Sequence, residues 1–196
     1  MLITLEGIDG AGKTTVATAL AAQLGAVLLR EPGGVVLSER IRDLVKDPAL
    51  AVDPRAEALL YAAARAQLVA EQLRPRLAAG ETVVLDRFVD SSLAYQGAGR
   101  GLGVEEVRRL NAFGTGGLLP DRTLLLRIDP ATALARAAGR GEAADRLERE
   151  ELGFFGAIAA AYDALAAAEP ERFAVIDAEQ PPDAVLADCL AAVQAA

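Results

Sequence analysis

The segment from Gly7 to Thr15, GIDGAGKTT, contains the residue types that bind and transfer phosphate. It has the spacing G-x-x-x-x-G-K-T, in which the glycines allow successive backbone N–H groups to point at phosphate oxygens. In this pattern Lys13 reaches the β- and γ-phosphates of a nucleotide, and the Thr14 hydroxyl binds Mg²⁺. The predicted triphosphate-binding residues are Gly7, Ile8, Asp9, Gly10, Ala11, Gly12, Lys13, Thr14 and Thr15.

This loop joins a predicted strand to a predicted helix, which is the setting that the motif requires. Leu2 to Leu5 is a short apolar run typical of a buried strand, and Thr14 to Leu24 has apolar residues at helical spacing. The positive end of the helix dipole then faces the bound anion. This setting disfavours the alternative, a glycine-rich turn that matches the motif by chance.

Composition restricts the chemistry that remains. The 196 residues carry a formal net charge of −8 and include no histidine, which excludes Ser-His-Asp and Cys-His catalysis and histidine metal sites. The acidic balance argues against a general nucleic-acid binder. No apolar run approaches the ~18 residues of a membrane span, and the N-terminus does not resemble a signal peptide. With a single cysteine, Cys189, these features predict one soluble cytoplasmic domain over 1–196, with no membrane or nucleic-acid partner.

Five apolar runs alternate with helical patterns along the chain. The runs are 2–5, 27–29, 82–85, 123–128 and 173–176, and the helical patterns are 14–24, 37–45, 54–77, 104–113, a helix starting at 130, a helix from Leu147 through Leu165, and 182–195. Such alternation predicts a three-layer α/β fold of the P-loop NTPase type, with a five-stranded parallel sheet and helices on both faces. The ligand site should lie at the carboxyl ends of the strands.

Two further features belong to phosphate chemistry. Asp86 follows the apolar run 82–85, which is the Walker-B pattern and predicts a Mg²⁺ ligand beside Thr14. The segment 136–149, RAAGRGEAADRLER, predicts a short arginine-rich lid that hinges at its two glycines. The alternative for this segment is a solvated helix with Glu–Arg pairs. An arginine from such a lid can accelerate phosphoryl transfer by ~10³ or more.

A phosphate-binding loop shows nucleotide binding but not the reaction. The N-K-x-D segment with which GTPases read guanine is absent from the sequence, and a motor ATPase would usually belong to a larger chain. A small kinase that uses ATP is the better fit. It needs a second site for the acceptor and a lid that excludes water.

The order and spacing of four more motifs resemble the bacterial thymidylate kinases over nearly the whole chain. They are REPGG at 30–34, EALLYAAARAQ at 57–67, DRFVDSSLAYQG at 86–97 and DRLE at 145–148. The resemblance implies Mg²⁺-dependent transfer of the ATP γ-phosphoryl group to dTMP, giving dTDP. It also implies a homodimer formed through the long helices.

The resemblance further implies the roles of individual side chains. Asp9 would approach the sugar 3′-OH of the acceptor, and Arg87 would hold its 5′-phosphate. Tyr61 would stack on thymine, Arg65 would donate to a thymine carbonyl, and Tyr95 would crowd the 2′ position. The implied catalytic residues are Lys13, Asp9, Arg87, Arg140 and Arg146, and the implied dTMP-binding residues are Asp9, Glu31, Arg42, Tyr61, Arg65, Arg87, Ser92, Tyr95 and Gln96.

The sequence departs from the family pattern at Gly10, where some members carry a basic residue. The catalytic arginine is therefore expected from the lid. Two alternatives to a dTMP kinase stay open: a kinase for another nucleoside monophosphate, and a P-loop switch that binds nucleotide without acceptor chemistry. The acceptor-binding set separates these readings, because a switch would not need it.

Overall fold

The computed structural model describes residues 1–139, 145–147 and 149–195. Within these residues five parallel strands form one sheet in the order β2-β3-β1-β4-β5. The strands are β1 (Leu2–Glu6), β2 (Val27–Arg30), β3 (Val83–Asp86), β4 (Arg122–Arg127) and β5 (Phe173–Asp177). Each strand coincides within one or two residues with an apolar run of the sequence, and the predicted fold class is confirmed.

Helices and two π-helical turns connect the strands. The helices are α1 (Lys13–Leu24), α2 (Val36–Lys46), α3 (Pro54–Leu68), α4 (Arg74–Ala78), α5 (Val89–Ser92), α6 (Val104–Thr115), α7 (Pro130–Ala138), α8 (Leu152–Ala168) and α9 (Pro182–Gln194). The π-helical turns are Val69–Leu73, between α3 and α4, and Leu93–Gly99, which continues α5. Within the described ranges, no helix has the length and apolar character needed to cross a membrane.

The centre of the sheet is buried on both faces. Every residue of β1 and β3 is buried, and side chains alternate between the faces of a strand, so helices must cover both sides. Helices α1 and α9 pack against each other, and α8 packs on β4 and β5. These layers hold the strand ends in fixed positions.

The register brings three strand ends to one level. Asp86 pairs with Leu5 of β1 on one side and with Arg30 of β2 on the other. The segments that follow β1, β2 and β3 therefore emerge next to one another. As the topology predicts, these segments form the site.

Several helix boundaries differ from the sequence prediction. The predicted helix 54–77 is divided by the π-helical turn Val69–Leu73, which directly precedes the segment containing Pro75. The inclusion of Leu147 in a helix is wrong, because Glu151 has an extended backbone and caps α8, which begins at Leu152. The apolar Leu147 is buried as part of the non-helical segment that lines a cavity.

Two charged residues near the connection between β4 and α7 have clear structural roles. Asp129 is the N-cap of α7, as the sequence predicts, and its carboxylate accepts hydrogen bonds from the amides of Ala131 and Thr132. Arg127 is exposed at the end of β4, where it pairs with Asp163 at 2.9 Å. Its charge is therefore not in the core.

A buried ion pair ties α5 to the far side of the sheet. Asp90 of α5 is 1% exposed, and both of its carboxylate oxygens accept hydrogen bonds from Arg172, at 2.6 and 3.0 Å. The same guanidinium donates to Thr123 of β4 at 2.7 Å. Because α5 follows the Asp86-Arg87 segment closely in the chain, the Asp90–Arg172 pair helps to hold that segment in position.

We expect Asp90→Ala to lower the free energy of unfolding by up to about 3 kcal/mol, because it removes the buried partner of Arg172 and leaves that charge only the partly exposed Glu169. Urea denaturation followed by circular dichroism measures the change. Glu105→Ala is the matched control, since it breaks the exposed Arg108–Glu105 pair and should change stability by less than about 1 kcal/mol. Equal effects of the two substitutions would contradict this account.

Candidate active site

The loop between β1 and α1 forms an anion-binding end. Gly12 has a φ of 87° and precedes the first residue of α1, Lys13, so the free N–H groups of the first helical turn are at the loop. The Lys13 ammonium donates to the Ile8 carbonyl at 2.8 Å and lies 4.0 Å from Asp9. Burial, together with the nearby Arg87 charge, lowers the pKa of Lys13 to about 8.

Gly10 lies where the loop meets α7. Its φ is 89°, and a Cβ atom at this position would be 2.0 Å from the Ala133 carbonyl oxygen. A side chain at position 10 would therefore collide with the helix backbone. This explains in physical terms why the loop of this chain contains no basic residue there.

Thr14 and Asp86 are in direct contact beside the loop. The Thr14 hydroxyl donates to an Asp86 carboxylate oxygen at 2.6 Å, and both residues line the same cavity. A hydroxyl and a carboxylate are hard oxygen donors, the type that Mg²⁺ prefers. The two residues predicted as metal ligands are thus adjacent, and their chemistry fits that ion.

Arg87 is the centre of a charged cluster facing the loop. Its backbone has a φ of 71°, which residues other than glycine rarely adopt. Its guanidinium donates to Asp9 at 2.6 Å, to the Tyr95 hydroxyl at 3.1 Å and to the Gly7 carbonyl at 3.1 Å. Tyr95 in turn donates to Asp9 at 2.9 Å. Burial alone would raise the pKa of Asp9, but Arg87 and Lys13 hold that pKa well below its usual range.

Glu6 binds the residues that follow Arg87 in the chain. Its fully buried carboxylate accepts hydrogen bonds from the Phe88 amide at 2.8 Å, the Ser91 hydroxyl at 2.6 Å and the Tyr162 hydroxyl at 2.7 Å. Ser91 also accepts a hydrogen bond from Arg87. Burial raises the pKa of Glu6. This carboxylate therefore fixes the residues on which the Arg87 conformation depends.

A second buried cluster surrounds Arg65 of α3, which is 2% exposed. Its Nε donates to Glu31 at 2.7 Å, one Nη to Ser92 at 2.8 Å and to Asn111, and the other Nη to the Phe88 carbonyl at 2.9 Å. Burial raises the pKa of Glu31 to about 7, although Arg65 opposes the shift. The guanidinium is thus held rigidly at the cavity wall.

One cavity of about 720 Å³ contains the loop and both clusters. Of its described lining residues, seven are basic and four acidic, so the local charge is opposite to the net charge of the chain. The basic ones are Lys13, Arg30, Arg42, Lys46, Arg65, Arg87 and Arg136; the acidic ones are Asp9, Glu31, Asp86 and Asp145. The cavity can therefore attract polyanions.

Comparison with known proteins agrees with this site. The sequence profile of the thymidylate kinase family matches residues 5–189. The chain belongs to the thymidylate kinase family. A thymidylate kinase of Deinococcus radiodurans is 52% identical over 198 residues, which cover 98% of this chain and 96% of that protein. One of Latilactobacillus sakei is 49% identical and covers 96% and 92%. The crystal structure of thymidylate kinase from Ehrlichia chaffeensis has a TM-score of 0.81 at 30% identity, covering 99% of this chain and 98% of that one.

The residues that the resemblance to thymidylate kinases implies for dTMP binding all line the cavity of about 720 Å³. They are Asp9, Glu31, Arg42, Tyr61, Arg65, Arg87, Ser92, Tyr95 and Gln96. Arg42 donates to the Pro32 carbonyl at 3.0 Å, and burial and the charge of Arg30 lower its pKa. Burial raises the pKa of the Tyr61 hydroxyl. The structure brings this set together; the role of each residue stays a prediction.

The predicted lid is described only in part. Arg140 lies outside the described residues, whereas Arg136, which donates to the Ala178 carbonyl at 2.8 Å, lines the cavity. Arg146 pairs with Glu57 at 2.6 Å and donates from Nε to the Val45 carbonyl at 2.9 Å. In this structure the Arg146 guanidinium is therefore engaged with α3 and the end of α2.

Four polar residues of the site were missed by the sequence analysis. They are Glu6, Glu57, Arg100 and Asn111. A usable signal existed for Asn111, which lies four residues after Val107 on the apolar side of α6. A polar residue on such a face requires a buried partner.

We expect the affinity for ATP, measured by calorimetry without Mg²⁺, to fall as the pH rises from about 7 to about 9.5, because Lys13 loses its charge near pH 8. The decrease should approach but not exceed about tenfold per pH unit. Nucleotide phosphates have completed their own titration, near pH 6, below this range. The Lys13→Met variant should bind ATP weakly, and its affinity should change little with pH. If its affinity falls with pH as steeply as that of the wild type, another group is responsible for the titration.

Proposed function

We propose that this chain is a Mg²⁺-dependent dTMP kinase, which transfers the γ-phosphoryl group of ATP to a 5′-phosphate oxygen of dTMP. The bond between the γ-phosphorus and the bridging oxygen that leaves with ADP breaks as the bond between the γ-phosphorus and the dTMP oxygen forms. The products are ADP and dTDP. The observation that carries the proposal is the shared cavity, in which a phosphate-binding loop faces two arginine clusters, one partly buried around Arg87 and one buried around Arg65. The thymidylate kinases among its relatives support the choice of dTMP.

The donor half is built on α1. Its N-terminus and Lys13 would bind the phosphates of ATP, since both place positive charge at the loop. Thr14 and Asp86 would hold Mg²⁺, as their contact at 2.6 Å puts two oxygen donors side by side. When bound, the ion supplies neutralisation of phosphate charge.

The acceptor half consists of two parts. Arg87 would hold the 5′-phosphate of dTMP by exchanging some of the contacts that its Nη groups make in this structure, because a guanidinium binds phosphate through two N–H groups without losing its charge. Asp9, fixed by Arg87 and Tyr95, would orient the sugar through its 3′-OH. Deeper in the cavity, Arg65 would donate to a thymine carbonyl and Tyr61 would stack on the ring. Glu31, Arg42, Ser92 and Gln96 complete the proposed acceptor site.

Lid arginines would neutralise the phosphoryl group during transfer. Arg140 and Arg146 are the proposed sources, and an arginine in this role contributes a factor of ~10³ or more. Delivery of Arg146 requires that it leave Glu57, with which it is paired in this structure. The lid would then close as that ion pair opens.

The acceptor assay is the direct test. ADP release with ATP and Mg²⁺ is compared for dTMP, dUMP, UMP, CMP, AMP and GMP, and a strong preference for dTMP is expected. Lys13→Ala should remove most of this activity, because an ammonium that neutralises transferring phosphates is lost. Preference for another monophosphate would overturn the substrate, and ADP release that is independent of acceptor would favour a nucleotide switch.

We also propose a cytoplasmic homodimer. Phe113 of α6 is 91% exposed and Leu59 of α3 is 56% exposed, and α3 packs against α6. Exposed large apolar side chains on adjacent helices are typical of an interface. The buried free thiol of Cys189 is compatible with a reducing compartment.

Phe113→Glu should convert the dimer to a monomer, because it places a charge in the apolar contact. Size-exclusion chromatography with light scattering measures the mass. Leu152→Glu is the control, since Leu152 is 52% exposed on α8, which packs on α7, β4 and β5, and should leave the mass unchanged. A wild-type protein that is monomeric at assay concentrations would refute the dimer.

A further inference from the structure

The Gln96 side chain has a fixed orientation at the cavity wall. It lies on the π-helical turn Leu93–Gly99, is 2% exposed and lines the cavity. Its amide nitrogen donates to Glu57 at 2.8 Å. Among the described residues, no group donates a hydrogen bond to its carbonyl oxygen. One end of this amide is therefore occupied, and the other is left for a ligand.

Glu57 determines the orientation of the Gln96 amide, that is, which side its oxygen and its nitrogen face. This carboxylate, in the first turn of α3, is fully buried and lies 2.6 Å from the Arg146 guanidinium and 3.2 Å from that of Arg100. Two guanidinium groups compensate its charge, and an ionised carboxylate only accepts hydrogen bonds. The NH₂ end of Gln96 must therefore face Glu57. A reversed amide would place two acceptor oxygens together.

We infer that Glu57 is a positioning residue that sets the base specificity of the acceptor site through Gln96. This inference rests on the proposed dTMP kinase function. By holding the amide nitrogen, Glu57 makes Gln96 present a carbonyl oxygen, which accepts a hydrogen bond from a base that carries N–H at position 3. Thymine and uracil carry that hydrogen, whereas cytosine has an unprotonated acceptor nitrogen there. The site thus favours the first two bases over the third.

The size of the effect follows from the cost of an unmatched polar group. A cytosine N3 opposite the Gln96 carbonyl would pair two acceptors, each without a donor, at a buried side chain. Sites that hydrogen-bond a substrate N–H reject analogues lacking it by large factors. If the amide can rotate freely, it can offer NH₂ to cytosine, and most of that rejection disappears.

A different role for Glu57 makes a different prediction. Arg146 connects Glu57 to the non-helical segment 145–147, whose Leu147 lines the cavity. If Glu57 only anchors that segment, its loss should weaken all acceptors alike. If Glu57 orients Gln96, its loss should change the ratio between dTMP and dCMP but not the ratio between dTMP and dUMP.

The experiment compares kcat/KM for dTMP, dUMP and dCMP in the wild type and in Glu57→Gln. We expect the dTMP:dCMP ratio to fall at least about tenfold, chiefly through KM, with the dTMP:dUMP ratio unchanged. Gln96→Leu should lower the dTMP:dCMP ratio as well. The double variant should show no further decrease, because Glu57 acts through Gln96.

Two further variants complete the test. Arg146→Ala removes an ion-pair partner of Glu57 but leaves its bond to Gln96, so the dTMP:dCMP ratio should stay at the wild-type value whatever happens to kcat. If Glu57→Gln does not fold, Glu57→Asp keeps a negative charge near Arg146 and Arg100 but, being one methylene shorter, breaks the hydrogen bond with Gln96, and should lower the ratio in the same direction.

The outcomes that overturn the inference are a wild-type ratio in the folded Glu57 variants, additive losses in the double variant, or an equal ratio change in Arg146→Ala. Failure of the proposed function has a different result. A wild-type protein without preference for dTMP would refute the dTMP kinase itself, before any variant is compared.

Discussion

The ion pair between Arg87 and Asp9 joins the two strand ends on which the site is built. Asp9 follows β1 and Arg87 follows β3, and the parallel register of these strands brings the two side chains to 2.6 Å. Arg87 has a left-handed backbone, a conformation that costs about 1 kcal/mol or more outside glycine. The Glu6 carboxylate offsets this cost by binding Phe88 and Ser91. Disturbing the β1–β3 register would therefore disperse the loop and the acceptor cluster together.

Buried and partly buried carboxylates organise the arginines of this acidic chain. Asp9 holds Arg87, Glu31 holds Arg65, and Glu57 holds Arg146, with separations of 2.6 to 2.7 Å. Such pairs gain little net stability, since desolvation opposes their attraction. Their effect is geometric, because each carboxylate leaves its guanidinium with one orientation. The cavity thereby combines a positive lining with guanidinium groups that are already oriented at its wall; Arg146 is the exception, since its proposed role requires it to leave Glu57.

The sequence predicted features that depend on neighbours in the chain. The strands, the phosphate-binding loop and the Asp129 cap follow from apolar runs and short motifs, and family motifs supplied the acceptor set. Glu6 and Glu57 could not be found in this way, because their partners are 85 and 39 residues away. The predicted start of a helix at Leu147 was wrong, since an apolar residue buried in a non-helical segment has the same local pattern as one on a helix face. Tertiary contacts decide these cases.

The contact between Gly10 and α7 restricts how this enzyme can evolve. Position 10 is where some relatives carry a basic residue, and the last residues of α7 are the first of the segment 136–149. With the Ala133 carbonyl 2.0 Å from any Cβ at position 10, a cation cannot be added to the loop while the helix keeps its place. If the lid supplies the catalytic cation, as proposed, a lineage with this backbone cannot replace it with a loop cation by one substitution. Helix α7 would have to shift before a side chain at position 10 could be accommodated. A change from a lid cation to a loop cation therefore requires at least two changes in the chain.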